Sequence, residues 1–357
     1  MVNRPYASMN DLANAVAESV QKYLDNSGQA RNGLFQDINN GERDIEVRIS
    51  QCFMIPDYEG NADAKPVPQA ERLALQHQLF HLTLDGKLQL SPLPSPAQSV
   101  LDIATGDSTW VHAFAGQNPY AYIVANDPSP RNTIHSGPSV IPDASDANES
   151  WTYTRQFDFI HCRQHHRRLD EPRLFKQAFR QVPLVLIVLN AVSLTNRSLA
   201  PGGWLEMQEL SNPVTSDDET LPENNPLSQW GRLLIEASKK MNRPVDNPAK
   251  YETWMREAGF VNCRTVVYKW PTNPWPAEEK GKTLGLWNLY NVLQRFEEFS
   301  MALLVKVLGW EMDDAKTFLG KVKEELMNED VHGYWPVYVV YGQKPAAPGS
   351  HAVSDSE

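Results

Sequence analysis

The 357-residue sequence is poor in cysteine: Cys52, Cys162 and Cys263 are its only three, and they lie far apart without a CxxC pair. This scarcity argues against a disulfide framework and against a cysteine-rich zinc site, and it favours an intracellular protein. The sequence also lacks an apolar run of transmembrane or signal-peptide length, since the run at 182–194 is short and is interrupted by Asn190. A soluble, cytoplasmic protein is therefore predicted.

Long runs of lysine or arginine are absent as well, and the formal net charge is −11. This balance disfavours nucleic acid or an anionic membrane as a partner. Hydrophobic residues make up 41% of the chain, which is enough to bury a sizeable core.

Short β-type segments alternate with helical ones through much of the chain. Strands are predicted at 99–104, 122–127, 157–162, 203–210, 263–270 and 334–344, and helices at 8–24, 69–84, 226–241, 248–258 and within 283–327. Such alternation is typical of an α/β fold with a parallel sheet covered by helices. Residues 25–68, rich in Gly, Asn, Asp and Pro, are expected to form a loosely structured arm.

The segment SVLDIATGDSTWVHAF (99–114) has the features of a ligand-binding loop. Asp102 is predicted to end a buried strand, Gly106 lies in the turn after it, and a helix is expected from Ser108 or Thr109. A strand, a tight glycine turn and a helix N-terminus together present backbone N–H groups to a ligand. The next strand ends in Asp127, which either accepts the hydroxyls of a ribose or is only a turn residue.

Several longer segments strengthen this interpretation. They are LQHQLFHLTLDGKL, VLDIATGDSTW, WTYTRQFDFIHCR, LAPGGWLEMQEL, SDDETLP, NPWPAEEKGKTLGLWNLYNVL and HGYWPVYVVYGQKP. From about Glu71 to Pro345 the chain resembles class I methyltransferases that use S-adenosylmethionine and, more narrowly, the LaeA-like fungal methyltransferases of secondary metabolism.

The resemblance implies a Rossmann-like α/β fold, with a mostly parallel seven-stranded sheet, helices on both faces and a helical cap. The implied domains are an N-terminal helix and flexible arm at 1–68 and a methyltransferase domain at 69–345. The cap would be inserted at about 212–258 and 272–330, and a disordered tail would cover 346–357.

The resemblance also implies a cofactor site. Asp102 matches the acidic residue that ends the first strand, and Gly106 matches the middle glycine of the family's Asp-x-Gly-x-Gly-x-Gly loop. Asp127 matches the acid that binds the ribose. In the SDAN segment, Asp146 would accept from the adenine amino group and the backbone of Ala147 would face the ring edge.

The loop departs from the family pattern at two positions, where Ala104 and Ser108 replace the first and third glycines. An unfavourable φ at a non-glycine residue costs about 1–3 kcal/mol. If that strain fell wholly on the bound state, affinity would drop by roughly one to two orders of magnitude. Alanine and serine are the smallest replacements and Gly106 is kept, so cofactor binding is expected to survive, with Ala104 still part of the site.

A second departure is the uncharged segment QVPLVLIVLNAVSLTN (181–196), which separates two segments that adjoin in the family. It is either an extra buried strand or helix extension, or an unspliced intron translated into the protein sequence. The intron is the preferred hypothesis because the block sits cleanly between matching segments.

Candidates for a general base lie after the fourth and fifth predicted strands. His165 and His166, in HCRQHHRRLD, have a suitable ordinary pKa. The alternative is a solvated basic loop, with His161 as a hydrogen-bonded core histidine. Glu206 and Gln208 share one strand face, and they either line the acceptor pocket or bond to neighbouring backbone. The spacing supports no metal site.

The leading hypothesis is an S-adenosylmethionine-dependent methyltransferase acting on a small-molecule intermediate of fungal secondary metabolism. The alternative is a catalytically impaired regulatory or scaffold protein that controls secondary metabolism through protein partners, with a nuclear location. A nicotinamide-dependent oxidoreductase is disfavoured because ATGDST lacks the first and last glycines of Gly-x-Gly-x-x-Gly.

Overall fold

A computed structural model describes residues 14–20, 22, 69–93, 97–128, 139–165, 169–179 and 198–346. The predictions for 25–68, 181–196, 347–357 and His166 lie outside these residues. The chain divides into two compact units. A sheet unit comprises Leu84–Ser211, Val245–Tyr268 and Val337–Glu357, and a helical unit comprises Met1–Thr83, Asn212–Pro244 and Lys269–Pro336.

In the described part of the chain, seven strands form one sheet. They are β1 (Ser99–Ile103), β2 (Tyr122–Asn126), β3 (Val140–Asp143), β4 (Phe157–Arg163), β5 (Leu199–Leu210), β6 (Val261–Pro271) and β7 (Tyr334–Gln343), in the order β3-β2-β1-β4-β5-β7-β6. Neighbours from β3 to β5 pair in parallel, whereas β7 is antiparallel to β5. This confirms the mostly parallel seven-stranded sheet. The sequence analysis missed β3, a four-residue strand at the sheet edge that contains Pro142.

The described helices are α1 (Gln69–Thr83), α2 (Thr109–Gln117), α3 (Glu171–Phe179), α4 (Pro226–Lys240), α5 (Tyr251–Ala258), α6 (Glu279–Leu293), α7 (Phe296–Met301) and α8 (Met312–Leu326). Residues 14–20 and 22 are also helical, Asn247–Lys250 form a 3₁₀ turn, and Ala302–Val307 form a π-helical stretch. Among the described helices, none has the length and apolar character needed to cross a membrane.

Helices cover both faces of the sheet. On one face, Val100 and Phe159 pack with Trp110, Val111 and Phe114 of α2. On the opposite face lies a second buried cluster, which includes Leu101 and Ile160 of the strands, Phe175 of α3, and Tyr251 and Met255 of α5. Alternate residues of β1 and β4 therefore supply the two cores, and β1 is buried at all five positions, as a strand covered on both faces should be.

The unit boundaries differ from the expected ones at α5, which the sequence analysis assigned to a cap insertion ending near 258. α5 belongs to the sheet unit because Tyr251 and Met255 are buried in that unit's core. It ends at Gly259, whose φ of 108° lies in the left-handed region that terminates helices.

The start of β5 is fixed by a buried lysine that follows β7. The Nζ of Lys344 donates a hydrogen bond to the Leu199 carbonyl at 2.8 Å and lies 5.8 Å from the ring centroid of Phe179, the last residue of α3. The Gly202 N–H donates to the Lys344 carbonyl, and the Lys344 N–H donates to the Gly203 carbonyl. Burial lowers the pKa of the Lys344 ammonium to about 8.

In the helical unit, polar side chains fix the turns. Asn225 caps α4, because its Oδ1 accepts the Leu227 N–H at 2.8 Å ahead of a proline at the first helical position. In the SDDETLP segment, Asp217 accepts from Lys269 and Tyr334, and Asp218 accepts from Thr220 and His332. These pairs tie the segment to the start and end of the 269–336 stretch of the same unit.

Candidate active site

The carboxyl ends of four parallel strands meet at one edge of the sheet. Ile103 of β1 is the register partner of Asn126 of β2 and of Cys162 of β4, and Asn126 is in turn the partner of Asp143 of β3. The segments that follow these strands therefore start side by side. Ligands of open α/β sheets bind outside this edge, so the edge is the candidate active site.

The loop after β1 keeps a glycine-type backbone at all three positions of the family motif. The φ angles are 57° at Ala104, 65° at Gly106 and 65° at Ser108, all in the left-handed region. A Cβ at Gly106 would meet only the Ala104 carbonyl at 3.9 Å, so φ rather than space favours glycine there. The loop thus retains the expected conformation, at a cost of about 1–3 kcal/mol at each non-glycine position.

Three hydrogen bonds within the chain hold this conformation. The Thr105 N–H donates to the Asn126 carbonyl at 3.1 Å, and the Ser108 N–H donates to the Thr105 carbonyl at 3.2 Å. The Gly106 N–H donates to Oδ2 of Asp127 at 3.0 Å. The helix that follows begins at Thr109, as predicted, with its N-terminus at the loop.

The loop and the predicted ribose acid are brought together. Asp127 directly follows β2 and is buried, and its carboxylate accepts the Gly106 N–H. A buried carboxylate beside a left-handed loop at the sheet edge suits the ribose-binding role better than that of a solvent-facing turn residue. The role itself stays a prediction.

The SDAN segment forms a turn after β3. Asp146 is exposed, and its Oδ1 accepts the Asn148 N–H at 2.8 Å. Ala147 is buried, and its carbonyl accepts from Trp151 Nε1 at 2.9 Å and Gln177 Nε2 at 3.2 Å. The turn is therefore anchored through the backbone of Ala147, which leaves Asp146 at the surface.

Sequence reasoning missed the residues that support this turn. Asn126, buried at the end of β2, donates through Nδ2 to Asp143 Oδ2 at 3.0 Å and to the Ser145 carbonyl at 2.8 Å. The Tyr153 hydroxyl donates to the same Asp143 oxygen at 2.6 Å. Burial alone would raise the pKa of Asp143, but the hydrogen bonds from Tyr153 and Ser145 outweigh it and lower this pKa.

A second group, whose contacts were not predicted from the sequence, lies in the strands and helix on either side of the loop. Asp102 and His161 are both buried, and Asp102 Oδ1 lies 2.6 Å from His161 Nδ1. The His161 ring stacks on Trp110, with centroids 3.7 Å apart and planes 7° from parallel. His161 is thus a core histidine, as the alternative interpretation held, and Trp110 is the residue that the sequence analysis passed over.

Glu206 lies on the face of β5 expected for an acceptor pocket, but its carboxylate is fully engaged. Its oxygens accept from the Leu90 N–H, from the Ser91 N–H and hydroxyl at 2.7 and 2.6 Å, and from Gln208 Nε2 at 2.8 Å. Glu206 is completely buried. This geometry favours the alternative in which Glu206 bonds to neighbouring backbone, since a base needs an available oxygen.

His165 is buried, so it does not belong to a solvated basic loop. Its Nε2 lies 3.1 Å from the Tyr251 hydroxyl, 3.5 Å from Glu209 Oε2 and 3.7 Å from Glu171 Oε1. Burial raises the pKa of Glu171 and of Tyr251. His165 thus joins the end of β4 to α3 and α5 through a buried polar cluster on the sheet face that α3 and α5 cover.

Metal ligation has no support in the described stretches, where no group of three or more His, Cys, Asp or Glu side chains could hold an ion. The Rossmann-like sheet, the left-handed loop after β1 and the acid after β2 form the arrangement that the resemblance to class I methyltransferases implies.

Comparison with known proteins supports the resemblance to methyltransferases. A family described as "Methyltransferase domain" matches residues 75–265. "Probable methyltransferase tdiE" of Emericella nidulans is 80% identical over 357 residues, the full length of both chains. "Methyltransferase pytC" of Aspergillus terreus is 32% identical over 81% of this chain and 86% of its own length. The chain belongs to the methyltransferase domain family.

The more specific resemblance is also confirmed. "Secondary metabolism regulator laeA" of Monascus pilosus is 26% identical over 78% of this chain and 72% of its own length. The chain is thus similar to LaeA-type regulators as well as to the methyltransferases. The alignment with the Emericella nidulans protein runs through residues 181–196, so the block has a counterpart there, which favours a genuine segment over an unspliced intron.

Proposed function

We propose that this methyltransferase binds S-adenosylmethionine at the edge formed by residues 104–108, Asp127 and 145–147. The methyl acceptor is a small-molecule intermediate of fungal secondary metabolism. The observation that carries the proposal is the left-handed backbone at Ala104, Gly106 and Ser108, which is the backbone that three glycines would favour there. The names of the relatives supply the context of secondary metabolism.

The residues of the site divide the task of holding the cofactor. The loop and the N-terminus of α2 offer backbone N–H groups, while Asp127 accepts the ribose hydroxyls in place of the Gly106 N–H. Asp146 accepts from the adenine amino group beside the anchored backbone of Ala147. When bound, the cofactor supplies a methyl group already activated by its sulfonium, so the chain mainly orients the acceptor in line with it.

Neither Glu206 nor His165 is assigned the role of the base that removes a proton from the acceptor. The oxygens of Glu206 already accept hydrogen bonds, and Nε2 of His165 faces Tyr251 and two carboxylates. His166 lies outside the described residues and keeps the role of candidate base. The ordinary pKa of a histidine side chain suits proton transfer near neutral pH. We propose that the protein acts in the cytoplasm.

The proposal is tested by calorimetric titration of S-adenosylmethionine and its demethylated product into wild type, Asp127→Ala and Asp127→Asn. Loss of the carboxylate removes charge-assisted hydrogen bonds, so affinity should fall about tenfold to a hundredfold in Asp127→Ala. Asp330→Ala, at an exposed position of the helical unit, is the matched control and should bind as wild type does. Unchanged affinity in Asp127→Ala would contradict the site assignment.

The second candidate function is a regulatory or scaffold protein that works through protein partners in the nucleus. The regulator name of the laeA relative and the two replaced glycines favour it. The same titration separates the two functions. A folded wild-type protein that binds neither form of the cofactor would make the regulatory function the leading one.

A further inference from the structure

A row of buried ionisable side chains crosses the sheet directly beneath the cofactor loop. Asp102 of β1 is the register partner of His161 of β4, and His161 is the partner of Glu206 of β5. The three residues are 2%, 0% and 0% exposed. Glu206 holds the 90–91 backbone, so the remaining question is why a histidine stands between the two carboxylates.

His161 contacts the chain on both sides of the loop. Its Nδ1 bonds to Asp102, two residues before Ala104, and its ring stacks on Trp110, two residues after Ser108. Trp110 is itself fixed, since its Nε1 donates to the Leu88 carbonyl at 3.0 Å. Asp102 is tied to the loop a second time, because its carbonyl accepts from Thr105 Oγ1 at 3.1 Å. The His161 side chain therefore connects Asp102, which precedes the loop, with Trp110, which follows it.

The second ring nitrogen shows that packing alone does not explain this histidine. The carboxylate accepts, so the proton of the short contact belongs on Nδ1. Nε2 is then buried without a hydrogen-bond partner among the described residues. A buried polar atom without a partner is costly and calls for an explanation. A phenylalanine would stack on Trp110 in the same position and would bury no such atom. The bond to Asp102 is the feature that histidine adds.

We propose that His161 is a positioning residue that clamps the two ends of the 104–108 loop and so compensates for the glycines replaced by Ala104 and Ser108. Alanine and serine disfavour the left-handed region, so an unclamped loop would populate its binding form less often. Apparent affinity falls in proportion to that population. The inference rests on the proposed function, because the clamp acts on the cofactor loop.

The test is a cycle of variants read by titration with S-adenosylmethionine. His161→Phe keeps a ring against Trp110 and removes the bond to Asp102, and it should bind about tenfold more weakly. His161→Asn keeps an amide donor for Asp102 but loses the ring on Trp110, so it should lose less affinity than His161→Phe without reaching that of wild type. In an Ala104→Gly/Ser108→Gly background the loss caused by His161→Phe should shrink to within about threefold, because glycine has no preference against the required φ.

The control is His112→Phe, a histidine exposed on α2, which should bind normally. If His161→Phe does not fold, Trp110→Phe replaces it in both backgrounds, with a smaller loss that glycine should likewise suppress. A hydrogen bond that served only stability would lower the melting temperature equally in both backgrounds and leave affinity unchanged.

Wild-type affinity in a folded His161→Phe, or an equal loss of affinity with and without the two glycines, would overturn the clamp and leave the proposed function standing. Absence of cofactor binding by the wild type would instead refute the proposed function itself, and the clamp with it.

Discussion

Restoring the two missing glycines should stabilise the protein more than it tightens cofactor binding. Ala104 and Ser108 have φ angles of 57° and 65°, and the loop is held there by bonds from the chain itself, to the Asn126 carbonyl and to the Asp127 carboxylate. The strain is therefore part of the folded state. It is a cost of folding rather than a cost of binding.

The magnitude follows from two opposing terms. A left-handed φ costs a non-glycine residue about 1–2 kcal/mol. Glycine also gives the unfolded chain more freedom, which offsets about 0.4–1 kcal/mol at each site. With the middle of each range taken at both sites, the double variant Ala104→Gly/Ser108→Gly should gain about 1–2 kcal/mol in free energy of unfolding. For a unit of this size that corresponds to a rise in Tm of about 2–8 °C.

The assay is thermal unfolding without cofactor, followed by titration of S-adenosylmethionine into the same samples. Affinity should change by less than about threefold, which is under 1 kcal/mol. Gly116→Ala, in α2 where an added Cβ meets nothing within 4 Å, is a control for substitution near the loop. A tenfold gain in affinity with an unchanged Tm would refute this reasoning, because the strain would then belong to the bound state.

Other substitutions test the remaining assignments. Glu206→Gln should lower the Tm, through loss of charge-assisted bonds worth about 1–3 kcal/mol, and leave the pH profile of kcat in place; a hundredfold fall in kcat at normal Tm would make Glu206 the base after all. Burial raises the pKa of Glu171, so the folded state holds its proton more tightly than the unfolded state does. The free energy of unfolding should therefore fall as pH rises from the ordinary pKa of a glutamate to the raised one, and Glu171→Gln should abolish this slope. If the free energy of unfolding changed equally with pH in wild type and in Glu171→Gln, Glu171 would not be the source of the pH dependence.

The main features of the fold could be predicted from sequence because they depend on local patterns. The short β-type segment at Ser99–Ile103, which alternates with helical segments, indicated a strand of a helix-covered sheet, and Gly106 marked the turn after it. β3 was not predicted because its sequence does not resemble a buried strand: it has only four residues, two of them are exposed, and one is Pro142. Its position at the sheet edge is what tolerates the proline.

The position of a candidate site residue, though not its role, could be predicted only where that residue follows a strand directly. Asp127 is of this kind, since the end of β2 fixes where its backbone lies. His161 and Glu206 could not be assigned, because their roles depend on which strands are neighbours: register places Asp102 beside one and the 90–91 backbone supplies donors to the other. The engagement of Glu206 by residues more than a hundred positions away leaves no local signal.

The buried Lys344 has a consequence for the 181–196 segment. Its ammonium contacts the last residue of α3 and the first of β5, so these two residues, which flank the segment in the described chain, are held near each other by one lysine. Because Lys344 holds Phe179 and Leu199 near each other, extra residues between them need not displace either strand or helix end. The length of chain between these two residues can therefore differ while the candidate active-site edge, at the opposite end of β5, keeps its geometry.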